Sequence, residues 1–134
     1  MGSVGNTTVS RLDQIRQQEY QYHATTGTAV WNIYEQGLKP NRGHIGRGVY
    51  FAPDEQGALE WTETSSTGGK TLLRVKTQTL KDKYSWGVID ESESTADKKV
   101  KTEDIEIKSG NTWMPLTEFR KRRENSYRMW KSGR

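Results

Sequence analysis

Residues 20–61 read YQYHATTGTAVWNIYEQGLKPNRGHIGRGVYFAPDEQGALEW, and the spacing of apolar residues, glycine and proline within them decides the fold. Tyr20 to Thr25 is short and rich in aromatic residues, which predicts a strand ending in a polar turn. Thr26, Gly27 and Thr28 interrupt it, and a threonine there suits the cap of a following helix. Ala29 with Ile33, and Val30 with Tyr34, recur at four-residue spacing and give that helix an apolar side. Gly37, Leu38 and Pro40 stop it, because glycine adopts the left-handed conformation past a helix end and proline cannot continue the turn. Gly48 to Ala52 reads as a second strand ended by Pro53, and Asp54 to Trp61 restarts as a helix. Tyr50 and Phe51 are adjacent on the second strand, so one ring enters the core and the other a cleft.

Working outward, residues 1–9 read as a flexible start, and a short helix opens near Ser10 with Val9, Leu12 and Ile15 on a thin apolar face. Thr62 to Gly69 is a loop by composition. Lys70 to Thr77 predicts a strand with Leu73 and Val75 on one side and Leu72 on the other, so that both faces are partly covered. Gln78 to Lys99 is the most polar part and reads as a long irregular segment, with Tyr84 and Trp86 as candidates for substrate contact. Asp90, Glu91 and Glu93 within it suit a solvated loop better than a metal site. Val100 to Lys108 alternates at Ile105 and Ile107 as a strand, and Ser109-Gly110-Asn111 turns it into a partner at Thr112 to Met114. Pro115 ends that strand and Thr117 opens a C-terminal helix.

The chain of 134 residues predicts one domain over 1–134 with a single modest core. Only 31% of its residues are hydrophobic, so five Trp and six Tyr must supply much of the buried area. The absence of cysteine excludes disulfides, a thiol nucleophile and thiolate metal sites. Two histidines, His23 and His44, are too few to argue for zinc. No apolar run reaches the length of a membrane span and no signal peptide is visible, which predicts action in the cytoplasm of its own or a target cell, either alone or as a piece of a larger secreted, delivered toxin. Charge is uneven: residues 120–134, a basic helix or tail, hold seven Lys or Arg against one Glu. Such a patch attracts polyanions including RNA, or is simply a solvated helix face; Tyr127 and Trp130 within it either stack bases or dock the helix on the body.

The ordered set His23-Ala24-Thr25, Gln36-Gly37-Leu38, Gly46-Arg47-Gly48-Val49-Tyr50-Phe51-Ala52 and Trp61 resembles the nicotinamide-binding half of the ADP-ribosyltransferase fold. The similarity is to the His-Tyr-Glu branch that contains the poly(ADP-ribose) polymerases and diphtheria-like toxins. It covers about forty residues strongly, and what it implies is an α+β fold: a split β-sheet core with flanking helices. It also implies NAD as co-substrate and no metal. His23 would hold a ribose hydroxyl, the backbone of Ala24 would clamp the nicotinamide carboxamide, and Thr25 would brace that corner. Tyr50 would stack on the nicotinamide. Trp61 stands where relatives usually carry a second stacking tyrosine. Arg42 or Arg47, in a glycine-rich loop, would face the pyrophosphate, and Gly48 would let the backbone approach; the alternative is an exposed loop with two solvated arginines. The glutamate of the branch falls on Glu103, with Glu106 as the alternative on the opposite strand face; both also suit ordinary surface acids.

Such residues suit one reaction. The bond between nicotinamide and ribose breaks with oxocarbenium character, its leaving group already cationic, so a prepositioned carboxylate helps more than a general acid. The implied function is mono-ADP-ribosyl transfer from NAD to a protein or nucleic-acid acceptor by a toxin or effector domain, with a neutralising immunity protein as a further partner. The alternatives are an NAD glycohydrolase and a non-catalytic module binding NAD, ADP-ribose or RNA.

Overall fold

The computed structural model describes residues 10–43, 45–61 and 69–133. The expected flexible start at 1–9, most of the expected loop at 62–69, and His44 lie outside the described residues. The fold is α+β, with two four-stranded antiparallel sheets and helices around them. One sheet runs β1 (Tyr20–Thr26), β4 (Lys70–Lys76), β7 (Glu106–Ser109), β8 (Thr112–Pro115), in that spatial order. The other runs β2 (Asn41–Gly43), β3 (Gly46–Phe51), β6 (Glu93–Ala96), β5 (Gly87–Asp90).

The sheets meet where β1 passes the end of β3, and among the described residues one bridge joins them, Tyr22 to Ala52, through N–H···O bonds of 2.9 and 2.8 Å. Beyond that bridge the strands part. Among the described residues no further main-chain bond joins them, and two hollows lie along the gap.

The sequence explains most elements locally. Ser10 caps α1 (Arg11–Gln17) by accepting from the Asp13 N–H at 3.1 Å, and Ile15 is buried beneath it. Gly37 ends α2 (Ala29–Gln36) at φ +77°, its N–H reaching the Ile33 carbonyl at 2.7 Å. Pro53 and Asp54 lead into α3 (Glu55–Trp61), where the Asp54 carboxylate accepts from the Gly57 N–H at 2.7 Å. Leu73 and Val75 of β4 enter the main core with Phe51, Ile105, Ile107 and Trp31, while Leu72 packs on the opposite face with Ala52 and Ala58.

Three expectations are corrected. Gln78 to Lys99 is not irregular: it forms α4 (Thr77–Lys83), β5 and β6. Thr77, Leu80 and Tyr84 recur at helical spacing and are buried, which outweighs the polar residues between them. Tyr84 is therefore a core residue, its hydroxyl donating to Asp104 at 2.6 Å, and Trp86 packs against the main core. The strand expected from Val100 starts only at Glu106; before it come a bridge from Val100 to Leu38 and a 3-10 turn, Thr102–Asp104. The C-terminal basic stretch is two helices, α5 (Leu116–Arg122) and α6 (Glu124–Ser132), broken at Arg123. Among the described residues no helix is long and apolar enough to cross a membrane.

Candidate functional site: paired clefts at the sheet split

Two hollows open where β1 and β3 diverge, and His23 and Tyr50 line both. The smaller, about 230 Å³, is walled by Tyr22, Ala24, Ala52, Ala58 and Trp61. The larger, about 470 Å³, takes Thr25 from β1, Gly48 and Val49 from β3, and one side of α2. That side presents Ala29, Asn32, Ile33 and Gln36, a helical stripe of spacing i, i+3, i+4 and i+7. Val30 and Trp31 of the same helix face the core instead.

Each side chain is held by its element. The His23 Nδ1 lies 2.8 Å from the Tyr50 carbonyl oxygen. A carbonyl only accepts, so Nδ1 carries the proton and Nε2 of the neutral ring is left as an acceptor. Burial depresses the His23 pKa below 6.5, while the bond to Tyr50 works in the opposite direction. Phe51 meets the imidazole edge-on at 6.1 Å, with ring planes at 66°. Tyr50 leaves the other strand face from buried Phe51, its hydroxyl donating to the Gly46 carbonyl at 2.6 Å and accepting from the Ile45 N–H at 3.3 Å. The ring lies flat across the hairpin at Gly43, where a Cβ would stand 2.1 Å from a ring carbon. Any larger residue at 43 would push the ring out of its place.

Ala24 contributes its main chain. The N–H and C=O of Tyr22 turn toward β3, so those of Ala24, two residues on, leave β1 on the same side. No bridge to β3 continues past Tyr22. A donor and an acceptor thus face the smaller cleft, which Ala24 lines.

The far wall of the larger cleft is fixed by the end of α2. Thr102 donates its hydroxyl to the Ile33 and Tyr34 carbonyls at 3.1 and 2.6 Å, and Leu38 exchanges two main-chain bonds of 2.9 Å with Val100. Gln36, Gly37, Leu38 and Lys39 are held there as cleft lining.

Of the candidate residues, the structure brings together His23, Ala24, Thr25, Gly48, Tyr50 and Trp61. It does not bring in Glu103, which is exposed on the 3-10 turn and borders a separate hollow with Tyr34, Thr117 and Tyr127. Glu106 lies on β7, two strands from β1, where it pairs with Arg74 at 2.7 Å. That guanidinium is stacked over Tyr20 at 3.6 Å and Trp113 at 4.2 Å. Glu106 thus stands across β4 from β1, and Glu103 lies behind the end of α2, where its hollow shares Gln36 with the larger cleft; neither lines the split. Arg42 and Arg47 face each other across the β2–β3 ladder, exposed and outside the lining of either cleft. Among the described residues neither cleft is lined by a carboxylate, and no group of three or more potential metal ligands gathers. Sequence reasoning missed Asn32, Gln36, Lys39 and Asn41, the polar lining of the larger cleft. The signal for the first two was present, since both fall on the Ala29–Ile33 stripe. Comparison with protein-family models and with curated protein sequences finds no match for the chain.

Proposed function

We propose that the paired clefts bind NAD and that the protein transfers its ADP-ribosyl group, with release of nicotinamide, on an ADP-ribosyltransferase-like fold. One observation carries this: His23 and Tyr50 form the common wall of a small, mostly apolar hollow and a larger, more polar one. A flat heteroaromatic ring bearing a carboxamide suits the first, between Tyr50 and Trp61, with the open main chain of Ala24 for its amide. A ribose and phosphates suit the second, lined by Asn32, Gln36, Lys39 and Asn41. The neutral His23 ring, with Nε2 as acceptor, takes a hydrogen bond from a ribose hydroxyl. Holding the nucleotide across this wall supplies orientation, which alone can lower a barrier by several kcal/mol (about 7–11 in ideal cases). As the glycosidic bond breaks, its electron pair leaves with nicotinamide; the acceptor attacks the ribose C1′ and loses a proton to solvent.

A second reading has its own support. With no carboxylate on the described lining, nothing there offsets the positive charge developing on the ribose. A module that holds NAD or ADP-ribose without turnover fits that absence. Incubation with NAD, following nicotinamide release and calorimetric binding, separates the two. Turnover that His23→Ala and Trp61→Ala reduce at least tenfold, and Glu103→Ala leaves unchanged, supports the transferase. Binding without nicotinamide over hours supports the module, release without acceptor labelling a glycohydrolase, and no binding at all ends all three.

A further inference from the structure

The sequence concentrates positive charge at residues 120–134, but the fold neutralises much of it. Arg120 and Arg128 both pair with Glu124, Arg122 with Glu118, and Lys131 with Glu35. Arg123 lies 5.4 Å over the Phe119 ring. Lys121 and Arg123 keep no acidic partner among the described residues, and a second group of such cations gathers at the mouth of the larger cleft. Lys39 lines it. Arg42 and Arg47 are direct cross-strand partners on the hairpin, and Arg47 precedes Val49 by two residues, so it leaves the strand on the face of that cleft-wall residue. On the opposite bank the Leu38–Val100 bridge sets Lys99 against Gly37, 3.3 Å from where a Cβ would stand, between exposed Lys98 and Lys101. None of the six has an acidic partner among the described residues.

Like charges set opposite each other on a ladder repel and weaken it. A hairpin that keeps two arginines face to face beside a cleft is relieved by an anion lying over both. Six cations on two banks exceed what one pyrophosphate requires. Regularly spaced phosphates on a flexible strand match them, and an unstacked base or ribose can then enter a cleft that a duplex cannot. We propose that this rim carries a single-stranded nucleic acid and that the acceptor is a nucleotide of that strand. The inference rests on the NAD reading for its chemistry: a base nitrogen or ribose hydroxyl attacks C1′, nicotinamide leaves with the electron pair of the broken bond, and the acceptor proton passes to solvent.

The test is fluorescence anisotropy of short labelled single-stranded RNA and DNA with the full chain between about 50 and 200 mM salt, alongside calorimetry with NAD. The expected result is salt-dependent binding that Arg42→Glu/Arg47→Glu weakens at least tenfold, the salt slope falling by about 1.4, or about 0.7 per lost phosphate contact. Arg122→Gln/Arg128→Gln should change it less than about twofold, since those cations already hold glutamates. NAD affinity should stay constant in the hairpin variant. The proposal is overturned if the hairpin variant binds the oligonucleotide normally, or if the helix variant loses as much. It is equally overturned if the hairpin variant loses NAD instead, since the arginines would then hold the pyrophosphate, or if incubation with labelled NAD, the oligonucleotide and a protein mixture labels protein alone. Oligonucleotide binding that depends on the hairpin in a protein that ignores NAD supports the rim and sinks the NAD reading alone.

Discussion

At the residue scale, His23 is the most constrained group in the site. Its ring is half-buried between the clefts, edge-on to Phe51 and bonded to the Tyr50 carbonyl, so protonation would place a charge in a partly desolvated site. The sign follows from linkage. An unfolded imidazole titrates near 6.5 and the folded one lower, so below about pH 6.5 the unfolded chain takes up more protons and stability falls with pH. The stability that neutral His23 confers is complete above that value and is lost as pH drops through it. Urea midpoints measured from pH 7.5 to 5.5 should therefore fall more steeply for the wild type than for His23→Gln, which keeps a donor but does not titrate. Parallel curves would show that the imidazole is solvated. Trp61 presents the opposite case: at 46% exposed it packs little, and its place beside the smaller cleft, rather than its burial, is what marks it.

At the scale of elements, the end of α2 decides the shape of the larger cleft. Gly37 sits at φ +77°, and a Cβ there would stand 2.4 Å from the Val100 carbonyl oxygen. Gly37→Ala meets both a disfavoured backbone and a main-chain clash. It should destabilise by more than about 1 kcal/mol and loosen the Leu38–Val100 bridge, read as a lower denaturant midpoint together with weaker cleft binding. An unchanged midpoint would mean that the bridge is not formed. This element was legible: glycine then proline after an apolar helix says where the helix stops. Its partner was not. Nothing in VKTED announces that Val100 pairs with Leu38, because one isolated bridge leaves no periodic trace. The same holds for Glu103, where Ile105 and Ile107 gave the right alternation but the chain before them turned in a 3-10 helix.

At the scale of the molecule, the two C-terminal helices are seated by aromatic packing, beside which Glu35 of α2 accepts from the Tyr127 hydroxyl and pairs with Lys131 of α6. Trp31 stacks with Phe119 at 5.7 Å and meets Tyr127 edge-on at 5.6 Å, which joins α2 to α5 and α6. The exposed helix pairs Arg122–Glu118 and Arg128–Glu124 are each worth about 0.3–0.5 kcal/mol. Removing a buried tryptophan costs about 3–5 kcal/mol, a large part of the stability of a typical domain. Urea unfolding should thus show Trp31→Ala severely destabilised and Arg128→Ala nearly unchanged; comparable losses would contradict this division.

What the sequence determined by itself was local. Strand and helix character across residues 20–61, the caps at Ser10 and Gly37, and the two-sided burial of β4 follow from periodicity and backbone preference within a few residues of each other. Tertiary structure alone decided what those elements meet. It parted β1 from β3 after a single bridge and so opened the clefts, placed Glu106 beyond β4 and Glu103 behind the end of α2, and hid Tyr84 in the core. It also paired four of the C-terminal cations with glutamates while leaving those at the cleft mouth with no acidic partner among the described residues. Such outcomes depend on contacts between residues far apart in the chain, and hydrophobic and electrostatic energies act through distance in space, on which spacing along the sequence is silent.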